Sequence, residues 1–265
     1  MHPESREPNP PTRPDGPGMM AEPGGRRASV EARREESTVQ VQIDEGAFAF
    51  AEVTLPPGGT LRVESGAMAT QRGDVTVETS TRGGFMSGLK RAFGGESFFV
   101  NDFTSKVGGS VGVAPPYPGD IALVNLPYGD ELLVQSGGWL ASDPTVQVDS
   151  QWGGARGFFS GAGLILLRCS GQGDMLIATY GTIRGATLAP GERMIIDTGH
   201  IVAFESTVQY SIRKAGNSWK TTLLGGEGLV AEFVGPGQVW MQTRSTSDLI
   251  SWLDARLPRH DSSNN

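Results

Sequence analysis

The chain is 265 residues long, carries a formal net charge of −7 and contains 38 glycines but one cysteine. This length supplies enough apolar side chains for a sizeable core. The acidic balance argues against a nucleic-acid partner, because binding to phosphates normally needs a basic face. Cys169 cannot form an intrachain disulfide and favours a reducing compartment, which predicts a cytoplasmic protein.

Residues 1–38 differ from the rest of the chain in composition. Seven prolines alternate there with mixed charges, and few side chains can bury apolar surface, so we predict a disordered tail. The tail lacks the apolar segment of a signal peptide. Beyond it, no apolar run approaches the ~20 residues that a membrane-spanning helix needs.

The folded part is predicted to start with an alternating strand at Val39–Ile43 and then to repeat one β unit three times. Each unit opens with a strand that ends in leucine and leads into a turn with proline and glycine. The opening strands are Phe50–Leu55, Ile121–Leu126 and Ile183–Leu188, and their turns are Pro56–Gly58, Pro127–Gly129 and Ala189–Gly191.

A Ser-Gly or Thr-Gly pair follows ten residues after each of these leucines, and an alternating strand begins nine residues after the glycine of the pair. A further glycine then opens the last strand of each unit. The pairs are Ser65–Gly66, Ser136–Gly137 and Thr198–Gly199, the alternating strands begin at Val75, Val146 and Val208, and the last strands begin at Gly109, Gly173 and Gly237.

Each unit also contains a glycine-rich stretch, namely Gly83–Phe103, Gly153–Leu167 and Ala215–Phe233. The first and third stretches share a Gly-Gly-Glu motif, whereas Ala162 stands at the place of the glutamate in the second. A carboxylate that accepts backbone N–H bonds in a tight turn explains this motif structurally. The motif residues are Gly94, Gly95, Glu96, Gly225, Gly226 and Glu227.

The strand after each proline turn differs among the units. In the first unit Arg62 and Glu64 alternate with apolar residues, which predicts one wet face. Leu132–Val134 and Met194–Ile196 are apolar on both faces. The second and third units are therefore expected to lie more centrally, or at a subunit contact.

One short helix is predicted at residues 246–258. Ser245 and Asp248 can form a capping box, and the apolar stripe beyond them ends at Pro258. The predicted organisation is a tail at 1–38, a triplicated β domain at 39–245, the amphipathic helix and a polar tail at 259–265. The three units span about 46–115, 116–178 and 179–245.

Several separated motifs resemble those of the AIM-twenty-four family, named in eukaryotes for altered inheritance of mitochondria. They cover about Val39 to Ser245 and comprise LKRAFGGESFF (89–99), PPYPGDI (115–121), DTGHIVAFE (197–205), LLGGEGLV (223–230) and GPGQVWMQTRS (235–245). The resemblance implies a β-sandwich of three repeats like those of the tryptophan RNA-binding attenuation protein (TRAP). It also implies no established catalytic residues, and membrane-organising or stress-linked partners. A fold shared with an RNA-binding protein transfers no activity.

The residue patterns that carry chemistry are sparse. Gly83–Lys90 lacks the lysine of a phosphate loop, since Leu89 occupies that position. His200 stands near Asp197 and Glu205 but without the further ligands of a metal site. Cys169 sits in an apolar run typical of a core side chain. We therefore predict neither an enzyme nor a cofactor.

The strongest candidate contact surface is the segment from Phe85 to Phe93. Glycines bracket large apolar side chains and two adjacent cations there, and one helical turn would place Leu89 and Phe93 on one face. The alternatives are packing onto the sheet or a neighbouring subunit, and contact with a protein partner or an anionic membrane surface. The candidate residues are Phe85, Met86, Leu89, Lys90, Arg91 and Phe93.

Together these patterns predict an all-β protein that acts as a non-catalytic oligomeric scaffold or adaptor. Its location is expected to be cytoplasmic, including the inner face of a membrane, where it would serve membrane or stress complexes. A homo-oligomer is expected, with a trimer as the first hypothesis from the family resemblance. The alternative function is a small-molecule-binding or weakly hydrolytic β protein that uses the glycine-turn clefts.

Overall fold

The computed structural model of the protein describes residues 40–80, 100–149, 158–159, 164–214 and 229–257, of which 80, 158 and 159 are described by their backbone alone. These residues all belong to Thr38–Asn265, the second of the two compact units of the chain. The predicted disordered tail at 1–38 lies outside the described residues, as do most of the three glycine-rich stretches.

The described residues form antiparallel sheets and one short helix, which confirms the predicted all-β class. The first strands are β1 (Gln40–Asp44), β2 (Phe50–Leu55), β3 (Thr60–Glu64), β4 (Met68–Ser80) and β5 (Val100–Val113). The next are β6 (Ile121–Leu126), β7 (Glu131–Gln135), β8 (Trp139–Ser142), β9 (Val146–Asp149), β10 (Phe158–Phe159), β11 (Leu164–Gly171) and β12 (Gly173–Ala178). The last elements are β13 (Ile183–Leu188), β14 (Arg193–Asp197), β15 (Ile201–Glu205), β16 (Gln209–Lys214), β17 (Leu229–Val234), β18 (Gly237–Gln242) and the helix α1 (Thr246–Asp254).

The turns after the three opening strands have the predicted geometry. The glycine of each turn has a positive φ, of 79° at Gly58, 90° at Gly129 and 79° at Gly191. Each turn is closed by a backbone hydrogen bond of 2.8 to 3.1 Å between its first carbonyl and the amide three residues later. A side chain at these glycines would be strained, because L residues rarely adopt such φ values.

The strands pair in a pattern that recurs along the chain. β2 and β3 both pair with β5, β6 pairs with β12 and β7 with β11, and β13 pairs with β18 and β14 with β17. In the second and third cases the long partner is divided at Gly173 and Gly237, as predicted. In the first case the prediction of a separate strand from Gly109 is wrong, because β5 runs without interruption from Val100 to Val113.

Three sheets result from this pairing. The first has the order β1-β2-β5-β3-β8-β12-β6, with β4 also on β5. The second has the order β10-β11-β7-β15-β18-β13, with β9 also on β11, and the third has the order β14-β17-β16. The first two sheets therefore each join strands from two predicted units. The interpretation of the units as TRAP-like repeats of a β-sandwich stays a prediction.

Two junctions between predicted units share one register. In the β3–β8 junction Val63 lies opposite Ala141, and in the β7–β15 junction Val134 lies opposite Ala203. Val63 and Val134 each stand two residues before the serine of their own Ser-Gly pair. Ala141 and Ala203 each stand five residues after the Ser or Thr of the next pair. The two junctions are thus built to the same pattern.

A β-bulge recurs beside the junction strands. Three strands each show a register shift against their partners. The shift lies between Trp139 and Ala141 in β8, between Ile201 and Ala203 in β15, and between Met68 and Thr70 in the N-terminal half of β4. In all three strands the skipped residue lies four positions after the Ser or Thr of the pair. Bulges of this kind bend a strand and raise its twist. The first half of β4 is therefore built like β8 and β15.

Burial follows these pairings. Leu132, Leu133 and Val134 on β7 are all buried between β11 and β15, as their apolar run predicted. The equivalent run on β14 differs, because β14 is the last strand of its sheet and Ile195 is 55% exposed. The expectation of a central position is therefore wrong for the third unit in this chain, and the alternative of a subunit contact stays a prediction.

The predicted wet face of β3 is also wrong at Arg62. Its side chain is only 5% exposed. The alternation of charged and apolar residues suggested solvent, but the charge is compensated inside the protein by a partner on β5. Buried arginines require such a partner. By contrast, the alternating strand predicted at Val39–Ile43 appears as the half-buried edge strand β1.

The predicted C-terminal helix is confirmed, although it ends at Asp254 rather than at residue 258. The Asp248 amide donates a hydrogen bond to the Ser245 hydroxyl at 3.3 Å, which caps the first turn. A Ser at this position satisfies an amide that has no partner within the helix. None of the helix residues is buried.

Candidate functional site

The predicted contact segment and the Gly-Gly-Glu motifs lie in the chain between strands that pair with each other. Phe85, Met86, Leu89, Lys90, Arg91 and Phe93 lie outside the described residues, and so do Gly94, Gly95, Glu96, Gly225, Gly226 and Glu227. The chain positions of these motifs are nevertheless informative, because residues 81–99 and 215–228 connect strands that pair with each other, β4 with β5 and β16 with β17. The functional role of this segment stays a prediction.

The Ser-Gly and Thr-Gly pairs lie in tight turns between strands. Ser65–Gly66 joins β3 to β4, and Gly66 has a positive φ of 89°. Ser136–Gly137 and Thr198–Gly199 lie in single 3-10 turns that lead into β8 and β15. The Asp197 carboxylate accepts a hydrogen bond of 2.9 Å from the Gly199 amide. This contact fixes the turn that leads into β15.

A buried ionic cluster lies at the β3–β8 junction. The Arg62 guanidinium donates two hydrogen bonds to the Asp102 carboxylate, at 2.9 and 3.1 Å. It also donates to the carbonyls of Pro144 and Val146, both at 3.3 Å. This bidentate geometry satisfies the charge and ties the β8–β9 connection to the first unit. Because its donors are engaged by protein atoms, the cluster serves structure rather than ligand binding.

Two carboxyl groups near this junction have altered acidity. Burial raises the pKa of Glu64 to about 7. Burial also raises the pKa of Asp143, and the nearby negative charge of Asp174 raises it further. A hydrogen bond from the Asp174 amide acts in the opposite direction and lowers it. A raised pKa can mark a catalytic acid, but structural burial has the same effect. Neither carboxyl group has a nucleophile placed against it by any described contact.

The other residues singled out for chemistry have structural contacts. The Nδ1 atom of His200 lies 2.8 Å from the Gln242 carbonyl oxygen. Gln242 is itself buried, and its side-chain amide donates to the Gly199 carbonyl at 2.9 Å. Cys169 is fully buried, and burial raises the pKa of its thiol to about 12, which keeps it protonated at neutral pH. In the described ranges no group of three or more His, Cys, Asp or Glu residues could hold a metal ion.

A small cavity lies between β1, β2, β3 and the second unit. Its volume is about 10 Å³, and its lining includes Ser142, Asp143 and Asp174. The hydroxyl of Ser142 is buried without a hydrogen-bond partner. A volume of this size holds roughly one water molecule, whereas ligand pockets typically measure ~300 Å³ or more. The cavity therefore gives no support to the small-molecule alternative.

The helix α1 and the turn that follows it carry exposed apolar side chains. Ile250 is 65% exposed, Trp252 54% and Leu257 61%. At 100° per residue, Trp252 and Ile250 flank a broad apolar arc that contains Leu253, and Asp248, Ser251 and Asp254 occupy the remaining side of the helix. The guanidinium of Arg256 lies 4.4 Å from the centre of the Trp252 ring. An amphipathic helix normally buries such a face, so this surface is suited to a partner.

Two sheet edges are also open where the other units have junctions. Among the described strands, β14 pairs with β17 alone, and the N-terminal half of β4 pairs with β5 alone. Residues 68–74 of β4 are exposed throughout. The strands equivalent to β14, which are β3 and β7, are paired on both edges. The strands equivalent to the N-terminal half of β4, which are β8 and β15, are also paired on both edges. Open edges present unpaired backbone donors and acceptors to other strands.

No helix within the described ranges is long and apolar enough to cross a membrane. The fold and these surfaces together define an antiparallel β protein with open sheet edges and an exposed amphipathic helix. The family model described as Mitochondrial biogenesis AIM24 matches residues 41–244. The chain therefore belongs to this family, which the sequence motifs had indicated.

Two relatives from Streptococcus pyogenes extend this assignment. The uncharacterized protein M6_Spy0233 of serotype M6 is 28% identical over 240 residues, which span 86% of this chain and 95% of the relative. The crystal structure of protein SPYM3_0169 superposes with a TM-score of 0.67 at 28% identity, over 83% of this chain and all of that one. Both likenesses support the fold, and neither name states an activity.

Proposed function

We propose that this protein is a non-catalytic scaffold or adaptor that associates with copies of itself and binds a partner protein through its C-terminal helix. The observation that carries the proposal is a broad exposed apolar arc on α1 that runs from Trp252 through Leu253 to Ile250, with Leu257 in the turn after the helix. Ile250, Trp252 and Leu257 are each more than half exposed. Leaving three such side chains in water forgoes roughly 1.5 to 3 kcal/mol for each one that a partner could bury.

The chemistry of the helix favours a protein partner over a lipid surface. Asp248 and Asp254 lie on its polar side, and Arg256 is its one cation among residues 246–257. Helices that lie on membranes usually carry several lysines or arginines for anionic headgroups. An apolar stripe with an acidic back is instead typical of a helix that docks into a groove of another protein.

The predicted segment around Lys90 and Arg91 supplies the other half of the proposal. Its two adjacent cations would contribute roughly 2 kcal/mol at an anionic surface, which is too little for stable binding by one chain. Several copies in one assembly would multiply this weak contact through avidity. We further propose that the protein is cytoplasmic and that its assembled form associates with the inner face of a membrane through these cations.

Quantitative affinity capture tests the helix contact. The full chain and the variant Ile250→Ser with Trp252→Ser are compared, with Ser251→Ala on the polar side of α1 as matched control. We expect a partner present in near-stoichiometric amount with the wild type and the control, and lost with the double variant. Melting temperatures should agree, because none of these side chains is buried. An identical set of captured proteins in all three samples would contradict the proposal.

Vesicle flotation tests the membrane contact separately. Vesicles of phosphatidylcholine with and without phosphatidylserine are mixed with the wild type and with Lys90→Glu, Arg91→Glu. Association that requires phosphatidylserine and disappears in the variant would support the peripheral location. Equal flotation of wild type and variant would show that Lys90 and Arg91 do not mediate membrane contact. The proposed contact through the helix would be unaffected by that result.

A further inference from the structure

The open edges of β14 and β4 are two halves of a junction that this chain forms twice elsewhere. The first junction joins β3 to β8, and the second joins β7 to β15. The third pair of equivalent strands, β14 and the N-terminal half of β4, is not joined in the part of the chain that the structure describes. The same chain therefore carries one unused strand edge of each kind.

The register of this third junction follows from the other two. Arg62 lies opposite Ser142, and Leu133 lies opposite Phe204. In each case the first residue stands three positions before the serine of its own Ser-Gly pair, and the second stands six positions after the Ser or Thr of the next pair. The same count places Ile195 opposite Gln71 and Ile196 opposite Thr70. The bulge between Met68 and Thr70 lies where β8 and β15 have theirs, so the β4 edge has the matching shape.

The composition of β14 fits a strand that is paired on both sides. Met194, Ile195 and Ile196 correspond to Leu132, Leu133 and Val134, which are buried between two strands. Proteins usually protect an edge strand with charges, prolines or bulges. β14 carries charged residues only at its two ends, Arg193 and Asp197, and its centre presents Ile195, 55% exposed, at the edge of its sheet.

The geometry points to a second copy of this chain as the occupant of that edge: β14 of one copy pairs with residues 68–73 of β4 of another, with Ile195 opposite Gln71. This inference rests on the self-association in the proposed function and names its surface. Because each copy offers one edge of each kind, the contact is head-to-tail and produces a closed ring when the rotation between copies closes. Among the described residues of one chain the β4 edge is exposed, so it is accessible to a neighbouring copy.

Directed disulfide formation between separate chains tests the register. Full-length Ile195→Cys, carrying a size tag, is mixed with full-length Gln71→Cys and oxidised mildly, then run on a non-reducing gel. Opposed residues of neighbouring antiparallel strands have Cβ atoms ~4.5–5.5 Å apart, close enough to be bridged with a small adjustment. Cys169 is fully buried and does not compete. We expect a tagged–untagged dimer within minutes.

Two controls define the outcome. Gln71→Cys mixed with Tyr128→Cys, whose side chain is 86% exposed in a turn, sets the rate of random collision. A tagged–untagged dimer that forms at least tenfold faster than this control supports the inference. A dimer at the control rate overturns it. Ile195→Cys with Gln71→Cys in one chain must also yield dimers or larger species, because an intrachain bridge alone would mean that the chain closes on itself.

A charge on the edge gives an independent test that needs no cysteine. Ile195→Lys should reduce the assembled fraction at least tenfold in light scattering, because a lysine on an edge opposes strand addition. Val77→Lys, at a residue of similar exposure on the other half of β4, should leave the assembly intact. An assembly unchanged by Ile195→Lys would overturn the edge contact while the proposed self-association survived. A monomeric wild type would overturn both the edge contact and the proposed self-association.

Discussion

The β3–β8 and β7–β15 junctions share one backbone register but use opposite side-chain chemistry. At the first junction Arg62 faces Ser142 and is held by Asp102, whereas at the second Leu133 faces Phe204. Phe204 packs edge-to-face with Phe233 and Tyr210, at centroid distances of 5.1 and 4.8 Å. The difference teaches that strand position is specified by turns and bulges, while burial at that position can be satisfied by an ion pair or by apolar packing.

The largest expected effect comes from the apolar junction. Phe204→Ala removes a side chain that is 1% exposed and leaves a cavity among Phe233, Tyr210 and Leu133. Such substitutions cost about 3 to 5 kcal/mol of unfolding free energy. Urea unfolding of the full chain measures this loss. A cost below about 1 kcal/mol would mean that this junction is not the packed centre described above.

The ionic junction should respond almost as strongly when only one partner is lost. Asp102→Ala leaves the Arg62 charge buried with carbonyl partners only, and we expect a loss of about 3 kcal/mol. The double variant Arg62→Met, Asp102→Ala should recover most of that loss, because no unpaired charge remains. Urea unfolding of both variants makes the comparison. Equal losses in the single and double variants would show that the ion pair itself, rather than charge compensation, stabilises the junction.

The pH dependence separates the two junctions further. Glu64 precedes Ser65 as Gln135 precedes Ser136, so Glu64→Gln makes the first turn resemble the second. Burial raises the pKa of Glu64 from 4.5 to about 7, so the folded state binds a proton more tightly than the unfolded chain does. Wild-type stability should therefore fall as the pH rises from about 4.5 to 7.

The expected size of this fall is on the order of 1 kcal/mol after solvent relaxation is allowed for. Glu64→Gln should remove it and leave a flatter profile across that window. The measurement is urea unfolding at intervals from pH 4.5 to 8. A wild-type profile that rises through this range, or one that Glu64→Gln leaves unchanged, would show that Glu64 is solvated in the folded protein.

The smallest stability effect is expected at the unpaired third edge. Ile195→Lys changes a side chain that is 55% exposed on a strand whose second edge pairs with no other described strand of its own chain. Surface changes of this kind usually stay within about 0.5 kcal/mol. Thermal unfolding at low protein concentration should give melting temperatures that agree within a few degrees. A large loss there would mean that Ile195 is part of the core of one chain.

The sequence allowed prediction of the features that depend on neighbouring residues. Positive φ at Gly58, Gly129 and Gly191 follows from their place after proline-containing turns, and the helix cap follows from Ser245 and Asp248. These signals are local because a turn or a cap is satisfied within a few residues. The opening strands at Phe50, Ile121 and Ile183 were therefore predicted with correct bounds.

The features that depend on distant partners were missed. Arg62 looked solvent-exposed because Asp102 lies 40 residues away and the carbonyl of Val146 lies 84 residues away. The edge position of β14 was equally hidden, since its composition matches that of the central strand β7. Local periodicity reports which faces are apolar, but pairing order decides which edges stay open. The candidate segment at Phe85–Phe93 stays a prediction because it lies outside the described residues.

The mass of the full-length wild type in solution, measured by light scattering over micromolar concentrations, tests the central claim most directly. The account predicts a multiple of the 28.0 kDa chain mass, with the assembly reduced toward that mass in Ile195→Lys but not in Val77→Lys. A wild type that stays at 28.0 kDa throughout would contradict self-association, and with it the scaffold that depends on several copies.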